Sequence, residues 1–97
     1  MEKDFSPGWK RLEARVYGFV QGVGYRYFVR YWAKNFQLTG YARNDPEGTV
    51  TVVLEGPEEK LKQMVQYLKQ GPPLARVDDV QVHLKDYRGE FQGFEVR

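Results

Sequence analysis

The order of two hydrophobic periodicities along the chain limits its fold more than any other feature. Apolar and polar residues alternate in three segments, as they do in strands with one buried face: residues 12–17, 49–55 and 77–85. Two other segments repeat apolar residues at steps of three and four, as amphipathic helices do: residues 25–36 and 57–70. The pattern therefore predicts strands separated by two helices that pack on the sheet through their apolar faces.

Residues 39–44 are predicted to form a further strand. The turn sequence Asp-Pro-Glu-Gly at residues 45–48 joins them to residues 49–55 in a hairpin. Pro57 is predicted as the first residue of the second helix, a position that suits proline, and a short closing strand is predicted over residues 91–96. The order strand, helix, strand, strand, helix, strand predicts an α+β fold, the ferredoxin-like split β-α-β sandwich. We expect an antiparallel-type sheet with both helices on one face and water on the other.

The length of 97 residues and the composition predict one folded domain. We expect residues 1–9 to form a flexible N-terminal extension and residues 10–97 to form the domain. The sequence contains no cysteine, which excludes disulfides and cysteine metal ligands. We find no apolar run long enough to cross a bilayer and no signal peptide, so a cytoplasmic protein that does not bind membranes is expected.

A loop that contains Gly22 and Gly24 joins the first strand to the first helix. Arg26 follows in the first helical turn, where free N–H groups and the helix dipole already amount to about half a positive charge. An arginine at this position is unfavourable unless an anion lies between the guanidinium and the loop amides. The segment therefore predicts an anion site, most simply for phosphate. The alternative is a tight turn followed by a solvated basic face formed by Arg26, Arg30 and Lys34.

The available side chains exclude most catalytic chemistries. The only serine, Ser6, lies in the predicted extension, and the only histidine, His83, lies on the polar face of a predicted strand. A Ser-His or Cys-His nucleophilic site therefore cannot be assembled, and no zinc site is predicted. The loop also lacks the third glycine of a dinucleotide-binding pattern and the Gly-Lys-Ser/Thr of a P-loop. No nucleotide, metal or other cofactor is expected.

An anion site made of backbone N–H groups and one guanidinium suits a particular kind of reaction. It can hold a phosphoryl group, stabilise its charge and place a water molecule, without a protein nucleophile, a metal or a general acid. Hydrolysis of a carboxylic–phosphoric mixed anhydride is such a reaction, because the carboxylate leaving group needs little protonation.

Two motifs of the chain resemble those of the acylphosphatase family. Residues 18–26, Gly-Phe-Val-Gln-Gly-Val-Gly-Tyr-Arg, are similar to the family's first signature. Residues 40–44, Gly-Tyr-Ala-Arg-Asn, resemble the second together with four later positions: Gly48, Val50, Glu55 and Gly56. The similarity extends over roughly residues 11–97. The departures are small, since Tyr25 stands where phenylalanine is common and Glu47 where aspartate is frequent.

The resemblance implies metal-free hydrolysis of acyl phosphates on the ferredoxin-like fold. It implies that Arg26 binds the phosphoryl group and that Asn44 orients the attacking water, whose proton passes to an oxygen of the substrate's own phosphate. The residues whose backbone amides it assigns to phosphate binding are Val20, Gln21, Gly22, Val23, Gly24 and Tyr25.

Two other functions are compatible with the same fold. An RNA-binding domain of this topology could use Tyr17 and Phe19 as stacking residues, although the net charge of only +2 and the composition of the third strand disfavour it. A regulatory module would bind a small molecule without turnover. We expect a monomer that acts on a small-molecule acyl phosphate and binds no nucleic acid.

Overall fold

The computed structural model describes residues 8–97, which form two helices and five strands. In chain order these are β1 (Trp9–Phe19), α1 (Tyr25–Asn35), β2 (Thr39–Asn44), β3 (Val50–Pro57), α2 (Glu58–Gln70), β4 (Arg76–Asp86) and β5 (Phe94–Val96). The strands form one sheet in the order β4-β1-β3-β2-β5. The predicted ferredoxin-like architecture is confirmed. The closing strand is shorter than predicted and pairs in parallel with β2, so the sheet is mixed, with the other pairs antiparallel.

The hydrophobic core lies between the sheet and the two helices. Alternate residues of β1 are buried on this side of the sheet: Leu12, Ala14 and Val16. The helices contribute residues spaced by three and four positions: Val29 and Ala33 from α1, and Leu61, Met64 and Leu68 from α2. Burying each of the larger side chains contributes roughly 1.5–3 kcal/mol, so packing rather than intrinsic propensity holds the helices in place.

The other face of the sheet is only partly open to water, contrary to the expectation. Backbone N–H groups of Arg88 and Glu90 donate to the carboxylate of Glu55 on β3, at 2.9 and 3.2 Å. Residues 87–91 therefore cover this end of the sheet, and Val53 and Glu55 are buried there. On β4, at the same face of the sheet, His83 is exposed, as predicted.

Pro57 ends β3 and does not begin α2, so the prediction for this residue is wrong. Its ψ of 136° is extended, and it pairs with Trp9 across the β1–β3 ladder. Glu58 is the first helical residue, and its backbone N–H donates to the carbonyl oxygen of Gly8 at 2.8 Å. Glu58 and Glu59 then place negative charge at the positive end of α2, as expected.

Residue 9 of the predicted extension belongs to the sheet, because β1 begins at Trp9. The rest of the predicted extension up to residue 7, including Ser6, lies outside the described residues. Within residues 8–97, no helix is long and apolar enough to span a membrane.

Three strands finish at the same end of the sheet. Both β1 and β2 run antiparallel to β3, and Val16 and Asn44 both pair with Val50 from its two sides. The C-terminal ends of β1 and β2 therefore lie at the same end of the sheet. The end of β5, parallel to β2, lies there as well.

Candidate active site

The glycine loop, residues 20–24, connects the end of β1 to the start of α1. Gly22 and Gly24 have φ angles of 75° and 80°, in the left-handed region that other residues rarely adopt. A Cβ built at either position would meet no atom within 4 Å. The loop thus requires glycine for its backbone conformation, and both positions are open on the side where a ligand would approach.

The backbone N–H groups of the loop and of the first helical turn are free. The first hydrogen bond of α1 runs from the N–H of Phe28 to the carbonyl of Gly24, at 3.0 Å. No acceptor among residues 8–97 is bonded to the N–H groups of residues 21–27. The first turn of α1 also contains no acidic residue. These free donors at the positive end of a helix form a site suited to an anion.

Arg26 lies in the first turn of α1, directly after the loop. Its Nη1 donates to the backbone oxygen of Arg97 at 2.5 Å, and the N–H of Arg97 donates to Ala42 of β2 at 2.8 Å. The guanidinium is therefore held near the ends of β5 and β2. Among residues 8–97 it contacts no Asp or Glu side chain, so most of its five N–H donors are available.

The side chain of Gln21 ties the glycine loop to the β2–β3 turn. Its Nε2 donates to the carbonyl oxygens of Asp45 and Thr49, at 2.8 and 2.9 Å. These two carbonyls lie at the two ends of the turn that follows Asn44. Gln21 therefore fixes the distance between the loop and Asn44, in addition to the backbone role predicted for it.

A buried carboxylate makes the β2–β3 turn rigid. Asp45 accepts hydrogen bonds from the hydroxyls of Thr49 and Thr51, both at 2.8 Å, and from Nε of Arg43 at 3.1 Å. Burial alone would raise the pKa of Asp45, but these hydrogen bonds outweigh it and hold the pKa below its usual value. The turn beside Asn44 is therefore held by a charged, fully bonded group.

Asn44 is the last residue of β2, and its amide oxygen has no partner. Its Oδ1 is the one buried side-chain nitrogen or oxygen atom in residues 8–97 without a hydrogen bond. Leaving such an atom unpaired costs roughly 1–3 kcal/mol, so native proteins rarely do so without a functional reason. The structure thus marks Asn44 independently of any sequence motif.

The remaining predicted residues contribute through their backbone. The side chains of Val20 and Tyr25 are buried in the core, and that of Val23 packs against it. The hydroxyl of Tyr25 donates to the carbonyl of Leu68 at 2.7 Å and so anchors α1 to α2. Burial raises the pKa of Tyr25. Tyrosine in place of the common phenylalanine thus adds a contact between the helices.

Sequence reasoning missed two supporting residues of the site. The sequence alone indicates Asp45 only as a turn residue and Thr49 only as the first residue of a strand, although Asp, Ser and Thr near a tight turn often bond to one another. The contacts of Gln21 carry no local signal, because its partners lie 24 and 28 positions away.

Comparisons with known proteins agree with the geometry. The family model for acylphosphatase matches residues 12–96. An acylphosphatase of Thermus thermophilus is 51% identical over 86 residues, covering 89% of this chain and 97% of the relative. One from Salinibacter ruber is 42% identical over 88 residues, covering 91% and 93%. The crystal structure of acylphosphatase from Bacillus subtilis superposes with a TM-score of 0.87 at 34% identity, covering 91% of this chain and 98% of that one. The chain therefore belongs to the acylphosphatase family, whose enzymes hydrolyse acyl phosphates to a carboxylate and inorganic phosphate.

Proposed function

We propose that this acylphosphatase binds the phosphoryl group of its substrate between Arg26 and the backbone N–H groups of the glycine loop and first helical turn. One observation carries the proposal: Arg26, which has no Asp or Glu partner among residues 8–97, lies at the positive end of α1. Its planar fork of donors matches two phosphoryl oxygens, and the free amides can contact the others. The charge that develops on these oxygens in the transition state is stabilised by the same groups.

Asn44 is proposed to position the attacking water. Its unpaired Oδ1 can accept a hydrogen bond from water, and its amide nitrogen can donate one. Gln21 and the Asp45 cluster hold Asn44 at a fixed place relative to the loop. An amide is a poor base, so Asn44 orients the water and does not remove its proton.

The reaction then balances without a covalent enzyme intermediate. The water oxygen forms a bond to phosphorus while the bond between phosphorus and the acyl oxygen breaks. The acyl group leaves as a carboxylate, and the proton of the water passes to a phosphoryl oxygen. Residues 8–97 contain no group of three or more His, Cys, Asp or Glu side chains that could hold a metal ion.

Hydrolysis of acetyl phosphate in the presence of EDTA tests the proposal. We expect wild-type turnover to persist, and Arg26→Ala to lose about 10³-fold or more in kcat/KM, about 4 kcal/mol. Arg88→Ala is the matched control, since the side chain of Arg88 is exposed and its backbone lies beside Glu55, away from the loop. Near-wild-type turnover by folded Arg26→Ala protein would refute the assignment.

The two alternative functions receive no support from the comparisons. Family membership over residues 12–96 favours hydrolysis over RNA binding and over ligand binding without turnover. We further propose that the protein acts as a cytoplasmic monomer on a small-molecule acyl phosphate and binds neither nucleic acid nor membranes. Sedimentation equilibrium should then give a mass near 11.4 kDa.

A further inference from the structure

A second arginine lies one helical turn beyond Arg26. The Cζ atom of Arg30 is 5.0 Å from the ring centroid of Tyr27, and the Cζ atom of Arg26 is 5.9 Å from the same centroid. The two guanidinium groups therefore lie against one ring. Tyr27 is 54% exposed, and Arg26 and Arg30 are half-buried, so the ring and both cations are at least partly accessible from solvent.

Helix geometry directs Arg30 towards the candidate active site. Four residues of α-helix rise about 6 Å, and long side chains on a helix lean towards its N-terminus. The contact of Arg30 with Tyr27, a residue of the first turn, agrees with that direction. Its guanidinium thus lies beside the ring of Tyr27, a residue of the first turn, where the phosphoryl group is proposed to bind.

Arg30 has no carboxylate partner among residues 8–97. Five of the eight arginines do have one: Arg11, Arg15, Arg43, Arg76 and Arg97. Arg26 and Arg30 also repel each other, since like charges four residues apart on a helix are destabilising. The arrangement does not serve the stability of α1, and an anion bound beside either cation would relieve the repulsion.

We infer that Arg30 and the Tyr27 ring form a subsite for a second anionic group, carried on the acyl chain of the substrate. This inference rests on the proposed function, because Arg26 must hold the phosphoryl group. The acyl chain would then run along the exposed face of Tyr27, and its terminal carboxylate or phosphate would pair with the Arg30 fork. The preferred substrates are short acyl phosphates with two anionic ends.

Three substrates of matched chain length test the subsite. Succinyl phosphate ends in a carboxylate, 3-phosphonopropionyl phosphate ends in a phosphonate, and butyryl phosphate ends in a methyl group. We expect wild-type kcat/KM to be about tenfold higher for at least one charged substrate than for butyryl phosphate. Arg30→Gln should bring that ratio close to one, mainly through KM. The charged substrate with the larger ratio identifies the preferred anion.

Lys34→Gln is the control, because it removes one positive charge from the next turn of the same helix. A ratio retained in Lys34→Gln and lost in Arg30→Gln supports a local subsite. Three results would each overturn the subsite while leaving the proposed function intact. They are equal kcat/KM values for the charged substrates and butyryl phosphate in the wild type, a ratio that survives Arg30→Gln, and an equal loss of the ratio in Lys34→Gln. Failure of wild-type protein to hydrolyse any of the three would instead refute the proposed function, and the subsite with it.

Discussion

Two arginines at opposite ends of the sheet show how differently one side chain can be used. Arg11 is buried beside three carboxylates, those of Glu13, Glu55 and Glu90, at 2.8, 3.2 and 2.6 Å. Arg26 has no Asp or Glu partner among residues 8–97 and donates one hydrogen bond, to the backbone oxygen of Arg97. The first arginine completes an internal network, whereas the second keeps its donors available.

The carboxylates around Arg11 are satisfied as fully as the arginine itself. Glu55 is only 1% exposed and accepts from Arg11 and from two backbone N–H groups of the segment that covers it. Hydrogen bonds from Lys85 and Arg11 hold the pKa of Glu13 below its usual value. For Arg11, burial alone would lower the pKa, but its carboxylate partners raise it instead. Buried charge is tolerated at this end because every group is paired.

The active-site end of the sheet follows the opposite rule. Within residues 8–97, Asn44 has an unpaired oxygen, the amides of residues 21–27 have no acceptor, and Arg26 has no Asp or Glu partner. Each of these would be a defect in a structural network. Their concentration at one end of the sheet fits the proposal that these groups bind a substrate.

The clearest test of this difference is to remove each arginine in turn. We expect Arg11→Ala to lower the free energy of unfolding by about 3–5 kcal/mol, because it leaves Glu55 charged and buried without its cation. Arg26→Ala should leave the free energy of unfolding within about 1 kcal/mol of wild type. Urea unfolding measures both. Inorganic phosphate should raise the urea concentration at the midpoint of unfolding for the wild-type protein and leave that of Arg26→Ala unchanged.

The opposite pattern would refute the division of roles. If Arg26→Ala unfolded as readily as Arg11→Ala, then Arg26 would serve mainly as a link between α1 and the end of β5. The same conclusion would follow if phosphate raised the unfolding midpoints of Arg11→Ala and Arg26→Ala equally.

Asn44 is expected to show the next largest effect, and on activity alone. Asn44→Ala should lower kcat for acetyl phosphate by about 10²-fold, because the water loses its fixed position. Its KM should change little, since the phosphoryl contacts come from Arg26 and the loop. Stability should rise or stay level, because the variant removes a buried acceptor without a partner. A large loss of stability with normal kcat would show that Asn44 is structural.

Gln21 should have an intermediate effect, since it acts through its neighbours. Gln21→Leu removes both bonds to the turn and should lower kcat about tenfold, by loosening the position of Asn44 relative to the loop. Gln21→Glu keeps the shape but sets a carboxylate against two carbonyl oxygens, so it should be at least as damaging. The combined Gln21→Leu/Asn44→Ala variant should be hardly slower than Asn44→Ala. Additive losses would contradict a role of Gln21 in positioning Asn44.

The strands and helices of the fold could be predicted from the sequence, and so could a candidate site at one end of the sheet. Local periodicity and turn chemistry predicted the bounds of β2 and the start of α1, and the loop chemistry predicted an anion site at Arg26. The Arg11–Glu55 network was not predictable in this way. Its members lie 44 positions apart on the sheet face expected to be open to water, and residues 87–91 bury them only in the folded chain.

Asn44 could be assigned only through the family resemblance, for a related reason. An asparagine just before Asp-Pro-Glu-Gly is an ordinary turn residue by local rules. Its significance lies in an unpaired oxygen and in a position opposite Val50, which the strand register creates. Local chemistry identifies charged groups in unusual places, whereas neutral groups become notable only after their surroundings are known.

The smallest expected effect concerns Asp45, a paired carboxylate at the end of the sheet where other groups are unpaired. Because folding lowers the pKa of Asp45, its hydrogen bonds stabilise the protein fully above the pKa of the unfolded chain. This contribution is lost as the pH falls through the lower pKa of the folded state. Asp45→Asn should therefore lower the free energy of unfolding by about 1 kcal/mol at pH 7 and by less in acid. Urea unfolding of both proteins from pH 7 to pH 3 measures the difference. A difference that stays constant with pH would mean that Asp45 holds the turn by shape and not by charge.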